Sequence, residues 1–285
     1  MTTANAAPLT DNRRGALLLV AAAAIFTGEV TAVRLLGDGA SSGQIVFFRG
    51  FVQLVVIGGW IALRDPGLLR TSRPGLHLAR GLTSLLCWLL YFRSFQVLDL
   101  ALATTLTFTT SLFTVALAPL VLKERVGPSR WGLTALGFGG VVLASGMTGV
   151  DADPAVLLGL GAAASAAVLV FLNRILARTE ATTTIMFWIS VIACIGTAPV
   201  AALDWQPLTP GALAMLSLAG MLGTLGMLLT IEAYRVGEVS ALAPFPYTRI
   251  VFAVAIGWAL FGETLGPQTM AGIALIVICA LAVRR

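Results

Sequence analysis

A few residues in this sequence combine charge or reactivity with an apolar neighbourhood. Glu29 lies deep inside the first long apolar run, and Arg49 and Arg249 lie inside later ones. A charge at the centre of a membrane helix costs about 2.5–3.5 kcal/mol on insertion scales, so it must face a cavity or a partner. Glu29 is the deepest acid in the chain and could carry a proton or neutralise an arginine. The Arg249 guanidinium could hold a substrate carboxylate through two parallel hydrogen bonds, or pair with Glu29. Arg49 offers the same choice between ligand and structure. Near Arg249, Pro244 and Pro246 each remove a backbone donor and free carbonyls upstream. Such a break survives in a bilayer only where protein or cavity water satisfies those carbonyls, so it marks a translocation path or a packed kink.

Hydroxyls and rings accompany these charges. Thr107, Ser111 and Thr114 share one helical face, as do Ser84, Trp88 and Tyr91. Trp188 follows Phe187, and Tyr247 sits beside the proline break. Aromatic walls, hydroxyls and one guanidinium suit a zwitterion with an apolar side chain. The same residues also serve ordinary purposes: hydroxyls bond back to their own helix, and aromatics pack or form interface belts. Gly220, Gly223 and Gly226 permit close helix approach, and Gly223 is a candidate hinge. Catalysis has no such constellation. There is no phosphate-binding loop, no nucleophile elbow and no metal-spaced cluster. The expectation is a non-enzyme with no catalytic residue, no metal and no cofactor. His77 is expected at headgroup level, and Cys87, Cys194 and Cys279 as packing residues.

The elements that position these residues follow from composition. Of 285 residues 58% are hydrophobic and 11% charged, with a mean hydropathy of +0.94. That leaves too little polar surface for a water-soluble globule and points to a multi-pass membrane protein. Runs of about 20 apolar residues fall at roughly 15–36, 43–63, 76–97, 100–121, 130–148, 155–176, 182–203, 210–234, 239–261 and 268–283. The gaps are short and carry turn formers, as at Asp65-Pro66-Gly67 and Asp153-Pro154. The basic residues alternate with the gaps. Arg13, Arg14, Arg64, Arg70, Arg73, Arg80, Lys123, Arg125, Arg130, Arg174, Arg178, Arg235, Arg284 and Arg285 fall on one side of a ten-span chain. Asp38, Asp99, Asp151, Asp153, Asp204 and Glu263 fall on the other. The positive-inside rule then puts both termini in the cytoplasm. The surplus of basic residues is thereby explained by the membrane, without nucleic acid.

The chain also repeats itself. Glu124-Arg125-Val126-Gly127-Pro128 and Glu263-Thr264-Leu265-Gly266-Pro267 share the pattern E-x-x-G-P at a separation of 139, which also separates Asp99 from Glu238. A cytoplasmic tail (1–14) would precede two five-span repeats, 15–148 and 155–285. Five is odd, so the second copy must cross the membrane upside down. Inverted repeats of this kind build secondary transporters, with the substrate site near mid-membrane where the copies meet.

The 5+5 pattern, the junctions Leu122-Lys123-Glu124-Arg125 and Phe261-Gly262-Glu263-Thr264, the glycine-rich fifth and tenth spans and the entry Phe47-Phe48-Arg49-Gly50 resemble the EamA-type drug/metabolite transporters. Within that family the chain looks most like bacterial amino-acid exporters of the YddG type. The resemblance implies an all-α basket of ten transmembrane helices, with spans 1–4 and 6–9 around a central cavity and spans 5 and 10 outside. It further implies an inner-membrane exporter of small metabolites, foremost amino acids including aromatic and apolar ones, working as a monomer by alternating access. Other metabolites or drugs, or a non-transporting membrane role, are the rival expectations. The expected partners are a small-molecule substrate and the lipid bilayer.

Overall fold

The computed structural model describes residues 11–37, 39–97, 106–145, 156–262 and 266–282. Asp38, Asp99, Asp151, Asp153, Pro154, Glu263, Thr264, Leu265, Arg284 and Arg285, singled out above, lie outside the described residues. Ten helical spans follow one another, with no strand among the described residues. They are α1 (Asn12–Leu36), α2 (Ser42–Arg64), α3 (Pro74–Val97), α4 (Thr110–Leu122) and α5 (Pro128–Ser145). The second five are α6 (Val156–Ala177), α7 (Thr182–Leu203), α8 (Pro210–Val236), α9 (Val239–Phe261) and α10 (Pro267–Ala282). Six of these are long and apolar enough on their own to cross a bilayer.

Local chemistry sets the ends. The Asp11 carboxylate accepts from the Arg14 amide at 2.9 Å, and Thr209 caps α8 through the Ala212 amide at 3.1 Å. Ser41 and Gln44 form a reciprocal capping box at the start of α2. Prolines 74, 128, 210 and 267 open helices, where a missing N–H costs nothing. Lys123 and Gly262, 139 residues apart, end α4 and α9 in the left-handed region at φ 57° and 65°. Their amides reach back to the carbonyls of Ala118 and Gly257, five residues before each. The two copies therefore terminate the same span with the same backbone shape.

Side chains are sorted for lipid outside. Trp60, Leu63, Leu120, Ile195, Leu203, Trp258 and Leu260 are exposed, while Gln44, His77, Arg80, Ser190 and Ser240 are buried. That pattern is the reverse of a soluble globule and fits a hydrocarbon solvent.

The helices pair across the two repeats. α1 packs along α8 and α3 along α6; α2 packs on α7 and α5 on α10. α4 leans on α6 as α9 leans on α1. Exchanging each span with the one five later maps this set of neighbours onto itself, as a pseudo-two-fold axis requires. Small residues make the pairing close. A methyl group at Gly226 would come within 2.7 Å of Phe26, and one at Gly140 within 2.9 Å of the Gly272 carbonyl.

Candidate functional site

α9 is the least regular span. It opens with one turn (Val239–Leu242), tightens to a 3₁₀ turn at Phe245–Tyr247 and resumes as a helix at Thr248–Phe261. Pro244 and Pro246 cause the interruption, and Arg249 stands just past it. The break opens onto a cavity of about 460 Å³ bounded by α1, α3, α4, α6, α8 and α9. That is within the range of small-ligand sites.

The wall of this cavity obeys the internal repeat. Thr107, Thr110, Ser111 and Thr114 line it from the first copy. Pro246, Arg249, Ile250 and Ala253 line it from the second, each 139 residues after its counterpart. The same helical face of two equivalent spans thus meets across the axis. Phe108 and Tyr247, another equivalent pair, touch edge to face at 6.0 Å between centroids.

Arg249 is exposed into this cavity, with its guanidinium carbon 5.9 Å from the Phe26 ring centre. It has no carboxylate partner among the described residues. Glu29 is instead paired with Arg49, whose Nε donates to Oε1 at 2.5 Å. Of the two candidate partners for Glu29, the structure selects Arg49 and leaves Arg249 without a salt bridge among the described residues. Gly223 makes room for that pair, since a methyl there would meet Glu29 Oε1 at 2.7 Å. α8 runs unbroken through Gly223, so this glycine provides space for a carboxylate and no bend in this structure.

A second cavity of about 170 Å³ lies between α2, α3, α6, α7 and α8. Arg49 and Trp88 line it, with Arg49 5.8 Å from the Trp88 ring centre. Cys87 lines both cavities, and Tyr91 lines the larger one. The remaining expected residues sit elsewhere. Tyr247 is fully buried behind the wall, where a methyl at Gly137 would come within 2.7 Å of its ring. Trp188 packs against His77 and Phe187 and lines neither cavity. Several hydroxyls do bond back to their helix, as Thr110 to the Thr107 carbonyl at 2.7 Å and Thr114 to that of Thr110 at 2.8 Å.

Three residues at or near the basic gaps, His77, Arg80 and Arg174, are buried inside. His77 is 2% exposed against Trp188, which corrects its expected headgroup position. Arg80 is 3% exposed and lines the second cavity. Arg174 donates to the carbonyls of Tyr234 and Arg235 at one end of α8. Arg80 had a signal. It precedes Ser84, Trp88 and Tyr91 at helical spacing, one turn earlier on the same face.

A polar latch lies beyond Tyr234 and Ala243, which line the larger cavity. The Glu124 carboxylate accepts from the amides of Val239 and Ser240, both at 3.0 Å, and caps the first turn of α9. Arg130 donates to the Ser240 hydroxyl at 2.7 Å and pairs with Glu238. The Asn12 side chain accepts from the Glu238 amide at 2.8 Å. The glutamate of one repeat therefore holds the start of the broken span of the other.

Sequence comparison agrees with this doubled architecture. The sequence model of the EamA-like transporter family matches residues 13–146 and again 153–285. The chain belongs to the EamA-like transporter family. Like other EamA-like proteins it is a multi-pass membrane transporter, an all-helical fold of two repeats. It is 28% identical to an S-adenosylmethionine uptake transporter of Rickettsia bellii over 248 residues, covering 87% of this chain and 85% of that one. It is 26% identical to the pseudopaline exporter of Pseudomonas aeruginosa strain UCBPP-PA14, covering 96% of each. A riboflavin transporter of Rhizobium johnstonii is 28% identical over 76% of this chain and 72% of its own. None of these three carries the name of an aromatic amino-acid exporter. A protein of known crystal structure superposes with a TM-score of 0.78 at 21% identity, over 95% of this chain and 96% of the other, which shows a shared fold.

Proposed function

We propose that this transporter carries small metabolites bearing a carboxylate, amino acids foremost, out of the bacterial cytoplasm by alternating access. Arg249 anchors the carboxylate. The observation that carries this reading is a guanidinium exposed inside a cavity of about 460 Å³ with no salt bridge to it among the described residues, the nearby Glu29 being paired with Arg49. A charge held in a membrane at such cost serves whatever enters to neutralise it. Hydroxyls of α4 and the ring of Tyr91 would receive the rest of the molecule, including apolar or aromatic side chains. On this reading the latched end and both termini face the cytoplasm of an inner membrane, as the positive-inside rule applied to the basic gaps supports. Opening the latch would expose the cavity to that side. The relatives are named for three different cargos, which supports a broad metabolite class over any one compound.

Counterflow into proteoliposomes tests the proposal. Vesicles preloaded with an unlabelled amino acid should accumulate its labelled form faster than empty ones, as a carrier does and an open pore does not. Arg249→Gln should abolish that accumulation while the protein remains monodisperse. Equal uptake by loaded, unloaded and protein-free vesicles across an amino-acid panel would overturn it.

A further inference from the structure

Arg80 is the least explained charge in the molecule. Its side chain is 3% exposed, inside α3, and lines the smaller cavity. All of its contacts are with neutral groups. Nε donates to Asn173 Oδ1 at 3.2 Å, one terminal nitrogen donates to Ser84 Oγ at 3.0 Å, and the other lies 3.9 Å from the Met227 sulfur. Neutral acceptors satisfy N–H groups but do not cancel a charge. Among the described residues no carboxylate compensates Arg80. Arg49, on the same cavity, is already neutralised by Glu29.

The two cavities adjoin. Cys87 lines both, and Trp88 and Tyr91, one helical turn apart on α3, face the smaller and the larger. Around them the described cations are Arg49, Arg80 and Arg249, and the described acid is Glu29. Three positive charges against one negative leave a surplus of two across the adjoining cavities, with Arg80 and Arg249 the cations that make no salt bridge. A substrate with one carboxylate and one ammonium group would leave that surplus in place.

We infer that Arg80 is a second anion subsite, and that the preferred substrate carries two anionic groups, as a dicarboxylate or an acidic amino acid does. One group binds Arg249 in the larger cavity and the other binds Arg80 in the smaller. The smaller cavity, about 170 Å³, has room for a carboxylate beside Arg80. This inference rests on the carboxylate-anchoring role of Arg249 and narrows the substrate class from amino acids in general to acidic ones.

The test uses near-isosteric pairs that differ only in the second charge: L-glutamate against L-glutamine, and succinate against succinamate. Each is titrated calorimetrically into the detergent-purified full-length chain, with sodium chloride as a separate arm. The diacid of each pair should bind about tenfold tighter, the increment of one charge-assisted pair. Arg80→Gln should collapse that ratio towards unity, and Arg80→Lys, which keeps the charge, should restore part of it. The unmodified chain decides the matter even if Arg80→Gln does not fold. Equal affinity within both pairs, with binding still lost in Arg249→Gln, overturns the second subsite and leaves the proposed function standing. Chloride competing equally with all four compounds, without discrimination within the pairs, also overturns it and makes Arg80 the holder of a structural ion. Binding of none of the four defeats this inference and the carboxylate reading together.

Discussion

α4 and α9 descend from one ancestral span and now present different chemistry from the same positions. α4 offers Thr107, Thr110, Ser111 and Thr114 to the cavity, and α9 offers Pro246, Arg249, Ile250 and Ala253. One wall is lined with hydroxyls, and the other carries a cation beside a broken backbone. The aromatic pair has diverged too. Phe108 faces the cavity, whereas Tyr247 is driven into the wall against Gly137. The axis fixes where side chains project, and substitution within one copy then makes the site directional. A substrate with distinct ends needs that inequality, because a symmetric pocket could not tell a carboxylate from its opposite pole.

The strongest way to break the comparison is to erase the inequality. Arg249→Thr gives α9 the residue α4 has at Thr110. It should weaken carboxylate binding by about 2–3 kcal/mol, a factor of roughly 30 to 160, measured by titration calorimetry. Adding Thr110→Arg to that variant moves the cation across the axis and should recover part of the loss. A double variant no better than the single one would show that position along the span does not suffice. A smaller effect is expected at Gly137→Ala, whose methyl would press on Tyr247 and nothing equivalent around Phe108. Detergent unfolding should show a loss of about 1–3 kcal/mol. The smallest concerns the helix ends. Lys123 holds the left-handed conformation that Gly262 adopts without strain, so Lys123→Gly should stabilise the chain by about 1 kcal/mol in the same assay. A destabilised variant would mean that the Lys123 side chain contributes more than its backbone strain costs.

Much of the fold could be read from residue order, because bilayer thickness sets span length and the E-x-x-G-P pattern marks equivalent turns. The break in α9 was equally legible, since proline acts through its own backbone. The pairing of Glu29 was harder. Both Arg49 and Arg249 lie in apolar runs, and only the packing of α1 and α2 against the same helix, α8, decides that Arg49 reaches it. Arg80 and His77 were misplaced for a related reason. Distance from a gap gives depth along the helix, but burial depends on which face a neighbour covers. Trp188 and Tyr247 show the same limit: they pack against other rings and line neither cavity, whereas Trp88, Tyr91 and Phe108, rings of the same kind, do.

The contact between Phe108 and Tyr247 has a geometrical corollary. Two positions related by a dyad can touch only where the dyad passes between them. Under the alternating access proposed above, material on such a line would hardly travel, whereas the latch and the far rim would swing through the full arc. The ring pair would then be the fulcrum, and spectroscopic labels should register the least displacement there and progressively more toward either face.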